Sequence, residues 1–265
     1  MKHLKIALFL GLLGMIAGAF VFPYQLDALK ISLGEAEYTK MIDQIPVSMT
    51  VVAIVTVLQI AVLTTVLSWI GLKLTTRTGL ILPLITPWIL EKKKPVIDQS
   101  GLKLAVVGGI VGAIFMIGAD VLLFQPYIPK LGNGESVVWW KALLGGALYG
   151  GIVEEVLIRL FLMTLIVWIL AVLFKKKKGE LPNAFFWIGL IIAALLFSAG
   201  HLPATAKLYD GLTPILITRA FVLNGVLGCL FGYIYWKKGL EYAMISHMCV
   251  HVVNQLILIP LLSLL

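Results

Sequence analysis

Apolar residues run through this chain in long unbroken blocks, and polar residues gather in short stretches between them. A helix needs about 20 apolar residues to cross a bilayer. Seven blocks reach that length, at roughly 4–23, 47–72, 103–124, 141–173, 184–203, 213–236 and 241–263. The polar stretch 24–46 reads as an amphipathic helix on the membrane surface. Between 73 and 102, the segment Leu80 to Leu90 is short for a span and holds Pro83 and Pro87, so it reads as interfacial or re-entrant. The pattern predicts an all-α, polytopic transmembrane helical bundle of seven to eight spans. The first block, Lys5 to Phe22, resembles a signal peptide, but Phe20-Val21-Phe22-Pro23 is a poor cleavage site, so it reads as a retained span. There is no internal repeat and no separate soluble domain. Residues 1–140 read as N-terminal transmembrane helices with polar loops and 141–265 as a C-terminal transmembrane core, together one continuous membrane domain.

Composition agrees with lipid as the solvent. Hydrophobic residues make up 60% of the chain and charged residues only 13%, against about a quarter charged in soluble domains. A soluble fold of this size has too much surface to hide that excess. The net charge of +8 does not point to nucleic acid, because the basic residues cluster at the ends of apolar blocks. Lys2 and Lys5 precede the first block, and Lys73, Arg77 and Lys92 to Lys94 follow the second. Lys175 to Lys178 follow the fourth, and Lys237 and Lys238 follow the sixth. Seven spans with a cytoplasmic N-terminus satisfy the positive-inside rule throughout, which predicts a multi-pass protein of the cell membrane. Trp139, Trp140, Trp187 and Trp236 fall near span ends, where interfacial anchors belong. Cys229 and Cys249 lie inside apolar blocks and read as small core residues.

Charge at mid-span costs at least about 2.5 kcal/mol on insertion scales, so an ionisable residue there marks function by default. The fourth block contains Gly150-Gly151-Ile152-Val153-Glu154-Glu155-Val156-Leu157-Ile158-Arg159. Glu155 and Arg159 stand four apart and share a helix face, acid first, while Glu154 is turned from Glu155 by about 100°. Arg159 can therefore hold Glu155 ionised and leave Glu154 to face a cavity and handle protons. The same residues also suit a structural salt bridge. The fifth block ends Phe197-Ser198-Ala199-Gly200-His201, where a lone histidine fits either a structural hydrogen bond or a site. In the seventh, His247, His251 and Asn254 recur at i, i+4 and i+7 along one face. Such a face chelates a metal, orients a water, or forms an interhelical hydrogen-bond seam. Asp120 and Arg219, nearer span ends, read as structural. Meeting in one polar cavity lowers the cost of all these groups, and glutamate with histidines suits water activation for amide hydrolysis.

Known membrane-protease patterns narrow the choice. There is no His-Glu-x-x-His, Gly118-Ala119-Asp120 does not complete Gly-x-Gly-Asp, and Ser198 lacks a Gly-x-Ser-Gly setting. Three short motifs do fit one family in order. Glu154-Glu155-x-x-x-Arg159, Phe197-x-x-x-His201, and His247 followed four residues later by a polar residue together resemble the CAAX-protease and bacteriocin-processing family. That family includes prenyl-protein endopeptidases of the Rce1 type and the bacterial Abi proteins. The resemblance covers about 150–255 and makes the C-terminal core the catalytic one. It implies an intramembrane endopeptidase with an Rce1-like core and Glu154 as the base, supported by Glu155. It implies that His201 and His247 orient water, or bind Zn2+ or another divalent metal if one is used, and that Arg159 braces the first motif. The implied substrate is a membrane peptide or a lipidated protein. One position departs from the pattern: His251 stands where the family has Asn or Asp. It can still donate to an oxyanion or ligate a metal, and Asn254 could supply an amide only from the next turn.

Two other classes use the same residues differently. In a proton- or ion-coupled transporter, Glu154, Arg159 and the histidines form a relay. In a non-catalytic scaffold or immunity protein, they bind a peptide without cleaving it. Depth is a tension for any shared site. Glu154 lies 21 residues before Lys175, about 30 Å on a straight helix, whereas His247 lies nine after Lys238, about 14 Å. A tilt, or a break at Gly145-Gly146 or Gly150-Gly151, would be needed to bring them level.

Overall fold

A computed structural model describes residues 1–128 and 137–264, and those residues form helices and connections with no strand. Seven helices are long and apolar enough to cross a membrane: α1 (Lys2–Leu33), α3 (Met49–Thr78), α5 (Gln99–Tyr127), α6 (Trp139–Leu173), α7 (Asn183–Leu208), α8 (Pro214–Lys238) and α9 (Leu240–Leu262). Two short helices, α2 (Glu35–Asp43) and α4 (Ile85–Glu91), lie in connections. The seven correspond to the seven apolar blocks, and the chain is a multi-pass membrane protein.

The stretch 24–46 is not one surface helix. The first helix runs on through Pro23 to Leu33, because Tyr24, Ala28 and Leu29 beyond the proline line a cavity against other helices. Asp27 in the same stretch pairs with Lys141 at 2.7 Å. Gly34, at φ 77°, then ends α1 in a conformation costly for residues with a Cβ, and only α2 lies wholly without buried residues.

Helix α1 packs along α3 through small residues. A Cβ added at Gly14 would stand 2.7 Å from Thr64 Oγ1, and one at Gly11 would overlap Thr65. Thr64 and Thr65 donate their hydroxyls to their own helix, to Ile60 O at 2.7 Å and Ala61 O at 2.8 Å. Lipid is as apolar as the protein, so close van der Waals contact of this kind holds spans together.

The segment 80–91 tucks against the start of α9 without crossing. Leu80, Leu82 and Ile85 are buried. The backbone N–H groups of Leu84 and Ile85 donate to Glu241 Oε1 at 2.9 and 2.7 Å, satisfying donors at the start of α4 that have no helical partner. Glu241 is a carboxylate that the sequence pattern did not single out.

Helix α6 is unbroken, and Glu154 nevertheless stands level with His247, 3.9 Å from it. From Gly145 to Met163 nearly every turn closes with i→i+5 hydrogen bonds, a wider turn than the α-helix. Wider turns spend more residues per ångström of rise, which shortens this part of the 35-residue helix. The four glycines expected as break points are instead contact points: Gly145 meets Tyr24, Gly146 and Gly150 meet imidazole rings, and Gly151 meets Met248. On the other side of α6, Val156, Leu160, Met163 and Val167 are fully buried with Leu190 of α7 and with Phe231 and Ile234 of α8.

Candidate active site

Two adjacent carboxylates on α6 meet different surroundings. Glu155 is completely buried, and its Oε1 lies 3.2 Å from Arg159 Nη1, itself 1% exposed. Arg159 is held by one hydrogen bond and two aromatic rings, while its Nη1 and Glu155 Oε2 make no hydrogen bond. Its Nη2 donates to Gly228 O at 3.1 Å, and its guanidinium lies between the rings of Phe197 and Phe231, 5.3 and 5.4 Å from their centroids. Its carbonyl accepts the Thr164 hydroxyl, which also meets Tyr235 Oη, both at 3.0 Å. Such a pair is stable in a low-dielectric interior only when its hydrogen bonds are largely met.

Glu155 Oε1 also accepts from His247 Nδ1 at 2.8 Å. The sequence reading has Glu155 supporting Glu154; in the structure its partners are Arg159 and His247. A carboxylate only accepts, so the bond puts a proton on Nδ1 and leaves Nε2 of the neutral ring as an acceptor. That Nε2 lies 3.9 Å from Glu154 Oε2. The His247 ring is stacked on Phe231 at 4.4 Å and on His251 at 5.3 Å, each at 17°. Gly150 makes room for this stack, since a Cβ there would stand 2.9 Å from His247 Nε2 and 3.1 Å from His251 Nε2.

Glu154 is 21% exposed and lines a cavity of about 590 Å³ together with His201, His247 and His251. The cavity runs from these groups toward the ends of α1 and α7, where Ser32 and Lys207 line it. His201 donates Nδ1–H to Phe197 O at 2.9 Å, the i−4 carbonyl of its own helix, and meets the Phe197 ring edge-on at 4.5 Å. The expected site residues Glu154, His201, His247 and His251 thus share one cavity, and Glu155 and Arg159 stand behind it. Asn254 does not join them. An i→i+5 turn begins there, and its amide points to Met116 Sδ of α5 at 3.9 Å. Asp120 and Arg219 pair with each other through two contacts of 2.6 Å, tying α5 to α8.

Tyr24, Tyr149 and Asn224 also line the cavity and were not read from the sequence. Both phenols lie within Coulombic reach of Glu154. Tyr149 precedes Glu154 by five residues, one wide turn, a signal visible only once that turn is known.

Among the described residues no group of three or more His, Cys, Asp or Glu side chains is arranged to hold a metal ion. His201 and His247, expected as ligands only if a metal is used, each have Nδ1 committed to a protein acceptor. Those bonds leave Nε2 of each ring free, as it is in a metal-ligating histidine.

Fold and site together define a multi-pass membrane protein with an acid–imidazole cavity enclosed among its spans. Residues 136–253 match the family model for type II CAAX prenyl endopeptidase Rce1-like proteins, so this stretch of the chain is an Rce1-like domain. At the family level this match supports a CAAX-type intramembrane endopeptidase. No curated protein and no solved structure matches the chain.

Proposed function

We propose that Glu154 is the general base of a peptide-bond hydrolysis carried out inside the membrane, with His247 orienting the attacking water. One observation carries this reading: the 3.9 Å gap between Glu154 Oε2 and His247 Nε2, two acceptors facing each other. A water donating one O–H to each bridges such a gap and turns its lone pairs toward the cavity. As its oxygen bonds to the substrate carbonyl carbon, its proton passes to Glu154. The C–N bond then breaks as Glu154 returns that proton to the leaving nitrogen. His251 stands at the motif position that the family fills with Asn or Asp, and its N–H donates to the developing oxyanion. Glu155 and Arg159 act through His247, fixing its tautomer and its plane.

The lining of the cavity is mostly apolar, which suits a membrane peptide or a lipid-anchored protein as substrate. Leu29, Leu227 and Leu208 line the cavity beside its few polar groups. The basic loops argue for a cytoplasmic N-terminus, and the ends of α1 and α7 then lie at the opposite face.

The test is cleavage of a peptide library by the purified full chain in detergent, with and without chelator, in water enriched in heavy oxygen. Hydrolysis incorporates one labelled oxygen into the new carboxyl group. Glu154→Gln lowers the rate by at least about a hundredfold, the usual worth of a positioned base, and His247→Ala does the same while thermal unfolding stays close to wild type. A Glu154→Gln chain that still cleaves at the wild-type rate would sink the assignment.

A further inference from the structure

Helix α3 is the outlier among the spans. Only 6% of its most apolar stretch is buried, against 28–44% for the other six. Its inner face meets α1 through Ile60, Thr64 and Thr65. Its outer face carries Val55, Gln59, Val62, Val66 and Trp69, all exposed. Their spacing of four, three, four and three is the 3.5-residue repeat of a left-handed coiled-coil seam. Leu58 and Leu63 flank the seam and, with Val55, Gln59, Val62 and Val66, line a shallow groove.

Gln59 does not suit a lipid-facing position. It stands ten residues past Met49, about 15 Å along the helix, at a depth where an unmet carboxamide has no water to bond. A single polar residue in an otherwise apolar seam is the device that fixes register and copy number in coiled coils.

We propose that α3 is the interface of a parallel homodimer, with the two Gln59 carboxamides hydrogen-bonded across a two-fold axis normal to the membrane. Two features select a second copy as occupant. A carboxamide is both donor and acceptor, so it complements itself. Copies inserted with one topology bring Gln59 to the same depth without further design, whereas any other partner needs a polar group at that level. The β-branched valines on the seam leave firm ridges between which a partner's side chains seat. No α3 residue lines the acid–imidazole cavity, and the dimer does not depend on the hydrolase reading.

The test uses the full chain in native membranes under oxidative cross-linking. Val55→Cys and Val62→Cys are compared with Ile191→Cys, exposed on α7, and with the unsubstituted chain, which reports any linkage through Cys229 and Cys249. The two seam variants give a covalent species of twice the chain mass, and the two controls do not. Adding Gln59→Leu to Val62→Cys lowers that yield about three- to tenfold, the scale of an interhelical hydrogen bond in a membrane, while thermal unfolding of the detergent-solubilised chain is unchanged. Seam variants that cross-link no better than Ile191→Cys overturn the proposal. So does a Gln59→Leu chain with undiminished yield, or an adduct whose mass is not twice that of the chain.

Discussion

The mid-span pair Glu155–Arg159 and the rim pair Asp98–Lys238 use the same chemistry in different solvents. The rim contact is the shorter, at 2.8 Å against 3.2 Å. Yet the mid-span side chains are at most 1% exposed, and the rim side chains are 26% and 47% exposed. Separation therefore misranks them. A buried charge left without its partner has nothing to replace it, whereas water replaces a lost partner at the rim. Between the two lies Asp120–Arg219, with side chains 20% and 22% exposed. The chain thus carries three measurements of one interaction at increasing access to water.

The largest effect belongs to the deepest pair. Arg159→Leu strands Glu155 among apolar neighbours and lowers stability by about 3–5 kcal/mol. The double variant Glu155→Leu with Arg159→Leu regains most of that loss, because no charge remains buried. It stays inactive, because His247 has lost the acceptor that sets its tautomer. Chemical unfolding in detergent read beside peptide cleavage separates the two losses. A single variant as mild as a rim substitution would break the comparison.

Asp120→Asn comes next. It leaves Arg219 short of its anion but within reach of solvent, so the loss is about 1 kcal/mol. Cleavage by this variant stays near wild type, since neither residue lines the cavity. A loss equal to that of Arg159→Leu would mean that solvent access does not order the series.

What could be read from the sequence divides along the same physical line. The spans and the Glu155–Arg159 pair were legible because apolar block length, i to i+4 spacing and the cost of charge in lipid are local quantities. The meeting of Glu154 with His201, His247 and His251 was legible only as a demand that expensive groups share one pocket. The partner of Glu155 on the cavity side was not legible, because His247 lies 92 residues away. The same holds for Gly146 and Gly150 as seats for imidazoles, for Tyr24 in a helix that continues through proline, and for Asn254 turning toward Met116. Each depends on which helix stands opposite, and no local pattern carries that. The wide turns of α6 belong with these, since they serve contacts on two of its faces.

The smallest effect tests the series at its wet end. Asp98 accepts from Lys238 Nζ at 2.8 Å and from the Ser100 N–H and hydroxyl at 2.9 and 2.7 Å, capping α5. The Lys238 ammonium first, and Ser100 after it, hold the Asp98 carboxyl well below the usual aspartate range. A pKa lowered in the folded state contributes stability above the unfolded value, about 3.9, and loses it as the pH falls through the lower folded value. Asp98→Asn keeps a competent helix cap and removes only the charge. Its deficit in unfolding temperature is therefore constant from neutral pH down to about pH 4, shrinks below that, and is the smallest of the three series members at every pH. High salt reduces it further, as it does for exposed pairs and not for buried ones. A deficit that grows on acidification, or that salt leaves untouched, would mean that this pair is shielded like the one at mid-span.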